Sequence, residues 1–249
     1  MDNFVAALHM VFVLILRTVT NYSVLHMLTD KPLMKEINNN IIMSLDYLQN
    51  SFVVIGEDLK NTQERREILI KSSRDVILLC SKSIVSIHSN KLQQAKEEIK
   101  QAKAMLDELR GCAQKDLYKY ISIGEQELVE AYSLYALMQN SQLPSIEDLN
   151  VMGTSYLTGL LDCIGEIKRM IFDLLKLGNV IEATKLFNTM QEIYETIYPF
   201  AIYDNIVPGL RRKLDVAKIL IEDIRSIITE ESRRAVMIEA IEKLKERFQ

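Results

Sequence analysis

Two acidic pairs at helical spacing are the residues of this chain best suited to chemistry. Glu127 and Glu130 stand i,i+3 apart in Gly124-Glu125-Gln126-Glu127-Leu128-Val129-Glu130-Ala131. Asp162 and Glu166 stand i,i+4 apart in Gly159-Leu160-Leu161-Asp162-Cys163-Ile164-Gly165-Glu166. On a helix, each pair projects from one face. The apolar stripe of the second segment runs Tyr156, Leu160, Ile164, Ile167, Ile171 and Leu174. Asp162 lies roughly 200° around from Leu160 at about 100° per residue, so core packing does not call for these acids. Like charges this close repel, and oxygen-rich pairs on two helices suit a hard divalent cation. A solvated helix face explains either pair taken alone. Only a fold that gathers both makes them a site.

The elements that must do the gathering are helices. The chain has 249 residues, 48% hydrophobic and 26% charged, with only 8 Gly and 4 Pro. So few breakers among so much Leu, Ile, Glu and Lys predict an all-α protein with an ample core. It divides into an N-terminal extension over residues 1–33 and a single helical domain over 34–249. A first long helix is expected over 33–89, with Gly56 and Asn61 as weak points and Ile68, Ile77, Ile84 and Ile87 on its apolar face. A second covers 91–110 and stops at Gly111. A third, over 114–138, carries the first acidic cluster. Ser145-Ile146-Glu147-Asp148 reads as a capped short helix. A fifth over 151–177 carries the second cluster and ends at Gly178, and a sixth ends before Pro199. Pro208-Gly209 opens the last core helix, with the stripe Leu210, Leu214, Ala217, Ile221, Ile224 and Ile228. A charged tail helix follows over 230–248.

Charge and rarer residues exclude several classes. A net charge of −4 and a pI near 5.6 leave no general basic footprint, so nucleic acid would need a local patch. Cys80, Cys112 and Cys163 are odd in number and lack CxxC spacing, which reads as buried thiols in a reducing cytoplasm. His9, His26 and His88 lie far along the chain from either acidic cluster. That argues against zinc and against the Glu-x-x-His arrangement of di-iron bundles. The apolar run 4–16 is about half of what a membrane span requires, and it lacks the basic start and cleavage site of a signal peptide. It is expected to be an extra helix packing on the body or on a neighbour, or to precede a true start at Met34. No membrane partner is expected.

Several segments, in order, resemble the translin superfamily, closer to its translin-associated factor X branch than to translin itself. They are Lys71-Ser72-Ser73-Arg74-Asp75-Val76 with Ser81-Lys82, and Gln126-Glu127-Leu128-Val129-Glu130-Ala131. Tyr156-Leu157-Thr158-Gly159-Leu160-Leu161-Asp162, Gly165-Glu166-Ile167-Lys168-Arg169-Met170 and Leu210-Arg211-Arg212-Lys213-Leu214 complete the set. Each is weak alone; their order makes the match specific over residues 41–234. The resemblance implies a bundle of about seven helices, assembly into a hollow homo-octamer or another closed homo-oligomer, and binding of single-stranded RNA and DNA. Factor X subunits are metal-dependent endoribonucleases whose acidic set corresponds to Glu127, Glu130, Asp162 and Glu166 here, with Mg²⁺ or Mn²⁺ as cofactor. Translin itself lacks that set. The extension and the tail helix depart from the family pattern.

With that chemistry, no Ser-His or Cys-His nucleophile is needed. The carboxylates would hold one or two divalent cations on the scissile phosphate. Arg169, i+3 from Glu166, can clamp a phosphate or pair with Glu166 or Asp173. Arg65, Arg66, Lys71 and Arg74 form one basic stretch, and Lys115 and Lys119 precede the acidic helix; either group can track an RNA backbone. A salt-bridged surface is the competing account of each. Tyr118, Tyr120 and Tyr132 could stack on bases, although such spacing also fits a core. The reading is a single-strand endoribonuclease whose third and fifth helices pack antiparallel with both pairs at their seam. The alternative is a non-catalytic scaffold binding single-stranded nucleic acid. A haloacid-dehalogenase-type phosphatase fits poorly, since no parallel sheet is predicted.

Overall fold

The structure, a computed structural model, describes residues 31–247; the side chains of residues 31–42, 44, 46, 115 and 247 fall outside that description. The run 4–16 lies outside the described residues. Among those described, every regular element is helical, which makes the protein all-α. The α-helices are α1 Lys31–His88, α2 Leu92–Leu117, α3 Ser122–Met138, α4 Ile146–Leu149, α5 Gly153–Lys176, α6 Val180–Ile197 and α7 Leu210–Arg247. Two 3₁₀ turns, Tyr118–Tyr120 and Tyr198–Tyr203, complete the set. The chain falls into two units parted between Gln63 and Glu64, so the expected boundary at residues 33 and 34 lies inside α1. In the first unit Met43, Tyr47, Phe52, Val54 and Leu59 are between 58% and 72% exposed.

In the second unit, the buried face of α1 is Leu69, Ser73, Val76, Cys80, Ser83, Ile84, Ser86 and Ile87. The Ile-based face expected from the sequence is therefore partly wrong. Ile68 is half exposed, and three small serines occupy buried positions that a search for large apolar residues passes over. Helix α2 runs past Gly111 and breaks at a kink at Gln114, whose φ is +43°, before a last short helical piece that ends at Leu117. Leu109, Ala113 and Leu117 carry its buried stripe through the glycine, so packing overrides a local stop signal. The third helix accordingly starts at Ser122. The short α4 forms as expected: the Ser145 hydroxyl accepts from the Asp148 N–H, and the Asp148 carboxylate accepts from the Ser145 N–H. All six expected stripe residues of α7 are buried, and the tail is not a separate helix but its continuation to Arg247.

The most extensive contact is α3 on α5, and it runs parallel. The Met152 N–H donates to Glu125, Gly159 abuts Gln126 and Val129, and Cys163 lies in the field of Glu130, so both chains climb in the same order. The antiparallel packing expected from the sequence is overturned. Its physical reason is the connection over residues 139–152, which carries α4 back along α3 before α5 begins. A reversal of that kind needs more than a tight turn. Helix α6 returns antiparallel after Gly178, whose φ of +74° suits a glycine at a helix end. Helix α7 then lies along α5, with Lys213 at Asp162 and Lys168 at Asp223.

Fully buried Glu125 ties the first turn of α3 to its neighbours. It accepts from the Tyr118 hydroxyl, from Arg110 at 3.3 Å and from the Met152 N–H at 3.2 Å. A buried carboxylate persists only when paired and hydrogen-bonded in this way. Its burial and the hydrogen bond push the Tyr118 phenol up to about 12.

The closest approach of α3 and α5 is made by Gly159. A β-carbon there would lie 2.6 Å from the Gln126 carbonyl oxygen and 2.7 Å from the Val129 Cβ. Gly165, nearly two turns on, would meet nothing within 4 Å. Gly159→Ala should therefore lower stability by roughly 1–3 kcal/mol or more through forced separation. Gly165→Ala should be neutral or stabilising by about 0.5–1 kcal/mol, since it removes a mid-helix glycine. Urea titration of the two variants measures the contrast, and equal effects would refute the parallel close packing.

Candidate functional site

The four acids sit at this same contact. Glu127 and Glu130 flank Leu128 and Val129; the Gln126 carbonyl and the Val129 side chain meet Gly159, which Asp162 and Glu166 follow by about one and two turns. All four are half-buried rather than solvated. Their charges reach one another across the seam. Burial, then Glu127, Asp162 and Glu166, push the Glu130 carboxyl from 4.5 up to about 8, while Lys213 opposes the shift. Burial and Asp162 raise Glu127 as well. The field extends to the thiols beneath. Cys163 is raised by burial and by Glu130, Glu166 and Asp162, and Cys80 by burial and by Glu127 and Glu130. Both are inert buried thiols, and all three cysteines are free.

Two basic side chains complete the cluster, and the sequence reading missed both. His88, at the last turn of α1, places Nε2 2.5 Å from Glu166 Oε2 with its side chain only 5% exposed. Its hydrogen bond holds the Glu166 carboxyl below its usual range, helped by Arg169. The separation of 78 residues that set His88 apart in sequence is closed by the fold. Lys213, in the first turn of α7, binds both oxygens of Asp162, with Nζ–Oδ2 at 2.6 Å. Its only sequence signal was its place in Leu210-Arg211-Arg212-Lys213-Leu214. Among the described residues no three His, Cys, Asp or Glu side chains are drawn into metal-binding range in this arrangement. The donor chemistry nonetheless suits a hard cation, since the four acids offer oxygen only.

The basic residues separate into different places. Arg65 pairs with Asp116 at 3.2 Å, and Arg66 donates to the Tyr120 hydroxyl at 2.8 Å while its guanidinium lies 5.3 Å from that ring. Lys119 covers the same ring at 5.2 Å. Lys71 and Arg74 are exposed; at about 100° per residue Arg74 lies roughly 80° around α1 from Arg66 and Lys71 roughly 140° from it. The Lys115 side chain lies outside the description. Of the basic residues expected from the sequence, Arg169 adjoins the acids, 56% exposed with a guanidinium nitrogen 3.9 Å from Glu166. Tyr118 and Tyr132 pack against the core, and Tyr120 is already taken up by cations.

The raised Glu130 has a measurable consequence. Its folded value lies above the unfolded one, so it stabilises the metal-free fold while protonated, and that contribution is lost as pH rises from 4.5 towards about 8. Melting temperatures in EDTA should fall over that window. Glu130→Gln, which cannot ionise, should gain on wild type steadily as pH rises. A gap that does not change with pH would show that Glu130 titrates as an ordinary surface carboxylate.

Comparison with known proteins places these observations. The model of the Translin family matches residues 64–228, the span that carries every contact of the site. An uncharacterized protein of Methanocaldococcus jannaschii is 30% identical over 192 residues, covering 73% of this chain and 85% of that protein. The structure of AfC3PO in complex with duplex RNA superposes with a TM-score of 0.67 at 29% identity, covering 72% of this chain and 95% of that one. Apo-NeC3PO gives 0.65 at 25% identity, covering 75% and 96%. With its helical fold and ordered motifs matched over most of its length, this chain belongs to the Translin family.

Proposed function

We propose that this protein is a metal-dependent endoribonuclease of the factor X kind, cutting single-stranded RNA. The observation that carries the reading is the seam of α3 and α5. There Glu127, Glu130, Asp162 and Glu166 share one field, in which Lys213 and His88 engage Asp162 and Glu166 while burial and the neighbouring acids still raise Glu127 and Glu130. The family supplies the polymer: AfC3PO is a structural relative seen with duplex RNA. A bound Mg²⁺ or Mn²⁺ would supply Lewis acidity and a water of lowered pKa. The four carboxylates would hold it, and the chain's own groups do the rest. His88 fixes the Glu166 rotamer from a buried position. Arg169 has an exposed guanidinium beside Glu166, free to turn towards a phosphate. Arg66 and Lys119, stacked on Tyr120, form a second cationic point farther along α1, suited to the backbone of a strand.

A second reading keeps the nucleic acid and drops the cleavage: a translin-like scaffold for single-stranded RNA or DNA. It is favoured by Asp162 and Glu166 being engaged by Lys213 and His88. Labelled single-stranded and duplex RNA, incubated with Mg²⁺ or Mn²⁺ and with EDTA, separate the two. On the nuclease reading the single strand is cut, EDTA stops the reaction, and the downstream product carries a 5′-phosphate. Asp162→Asn and Glu130→Gln should each lower single-turnover cleavage by on the order of 10²–10³-fold with RNA binding retained. Binding without cleavage in any metal would leave the scaffold.

Assembly is the other half of the proposal. Large apolar side chains stand exposed on α1, such as Phe52 and Val54, and on the α7 tail, such as Val236, Met237 and Ile238. Exposed runs of this kind mark interaction surfaces, and a closed homo-oligomer would bury them. Light scattering should give a homo-octamer. A monomer at every concentration would remove any enclosed chamber from the mechanism.

A further inference from the structure

Asp162 and Glu166 sit one helical turn apart, yet the protein treats them differently. His88, buried and on the neighbouring α1, holds Glu166 through one oxygen. Lys213 takes both oxygens of Asp162, the bidentate approach that a cation would use. Lys213 is carried by a well-anchored turn: its N–H bonds the Gly209 carbonyl at 3.0 Å, and Leu210 and Leu214 beside it are buried. The contact itself is open. Lys213 and Asp162 keep 32% and 34% of their side-chain surface, so the ammonium can move into water with little desolvation to reverse.

We propose that Lys213 is a built-in counter-ion that occupies the cation position at Asp162, so that a divalent metal and the Lys213–Asp162 pair exclude one another. This rests on reading the four-carboxylate seam as a metal site. In the metal-free protein the ammonium relieves part of the repulsion among the four acids. On loading, Asp162 would help hold the cation in place of Lys213, and Lys213, already partly exposed, would move out into solvent. Exchange of one protein cation for one metal ion makes occupancy depend on the lysine as much as on the ligands.

The test uses Mn²⁺ alone as the probe, with free ion counted by electron paramagnetic resonance at fixed ionic strength. Lys213→Met keeps length and loses charge, and should bind Mn²⁺ at least about ten-fold tighter than wild type. Lys213→Arg keeps the charge and should stay close to wild type. In an Asp162→Asn background the gain from Lys213→Met should vanish, since the competition acts through Asp162. In EDTA, Lys213→Met should melt below wild type, and Mn²⁺ should raise its melting temperature by the larger amount; Lys213→Gln serves if the Met variant aggregates. Equal or weaker Mn²⁺ binding by the neutral variants overturns this inference and leaves the metal site standing. A gain that survives Asp162→Asn also overturns it, because the lysine would then act as a diffuse charge. Absence of Mn²⁺ binding in wild type and variants alike defeats the metal-site reading itself.

Discussion

The parallel contact of α3 with α5 at Gly159 is the constraint on which the rest of the molecule depends. Backbone meets side chain there at a separation that no Cβ would permit, so the two helices approach more closely than ordinary packing allows. That closeness puts acids from both helices within one half-buried field. The long connection through α4 exists to make the parallel arrangement reachable, and buried Glu125 fastens its end by capturing the Met152 N–H. A carboxylate so deep holds its place because Arg110 and Tyr118 meet it from α2 and the adjoining 3₁₀ turn.

Charge is organised around this contact in two grades. Glu125 is structural: fully buried, multiply hydrogen-bonded and removed from water. The other four acids lie where water still reaches, and repulsion among them is only partly answered by protein cations. Such frustration is stable because surrounding apolar layers over-determine the helices, with Ile164, Ile167 and Ile171 fully buried on the opposite face of α5. Stored electrostatic strain of this kind is how a fold keeps a site ready for a ligand of opposite sign.

Large apolar side chains stand exposed in runs on α1 before Gln63 and on α7 beyond Ile228, and singly elsewhere, as at Ile123, Leu177 and Ile202. Among the described residues no helix is long and apolar enough to cross a membrane, so these runs read as amphipathic faces rather than spans.

The all-helical class, the α7 stripe, the Ser145 capping box and the shared face of each acidic pair were all legible from the chain itself. They depend on spacing within a few residues, which the 3.6 period translates directly into a face. Other features were beyond that range. The Ser73 and Ser83 positions in the α1 stripe, the passage of α2 through Gly111, and the parallel sense of α3 and α5 follow from what lies across a contact, and local propensity says nothing about it. His88 and Lys213 illustrate the same limit. Each is unremarkable among its neighbours in sequence, and each becomes part of the site only because tertiary packing brings α1 and α7 against α5. Sequence determined which groups could hold charge; the fold decided which charges face each other, because electrostatic coupling depends on distance in space and not along the chain.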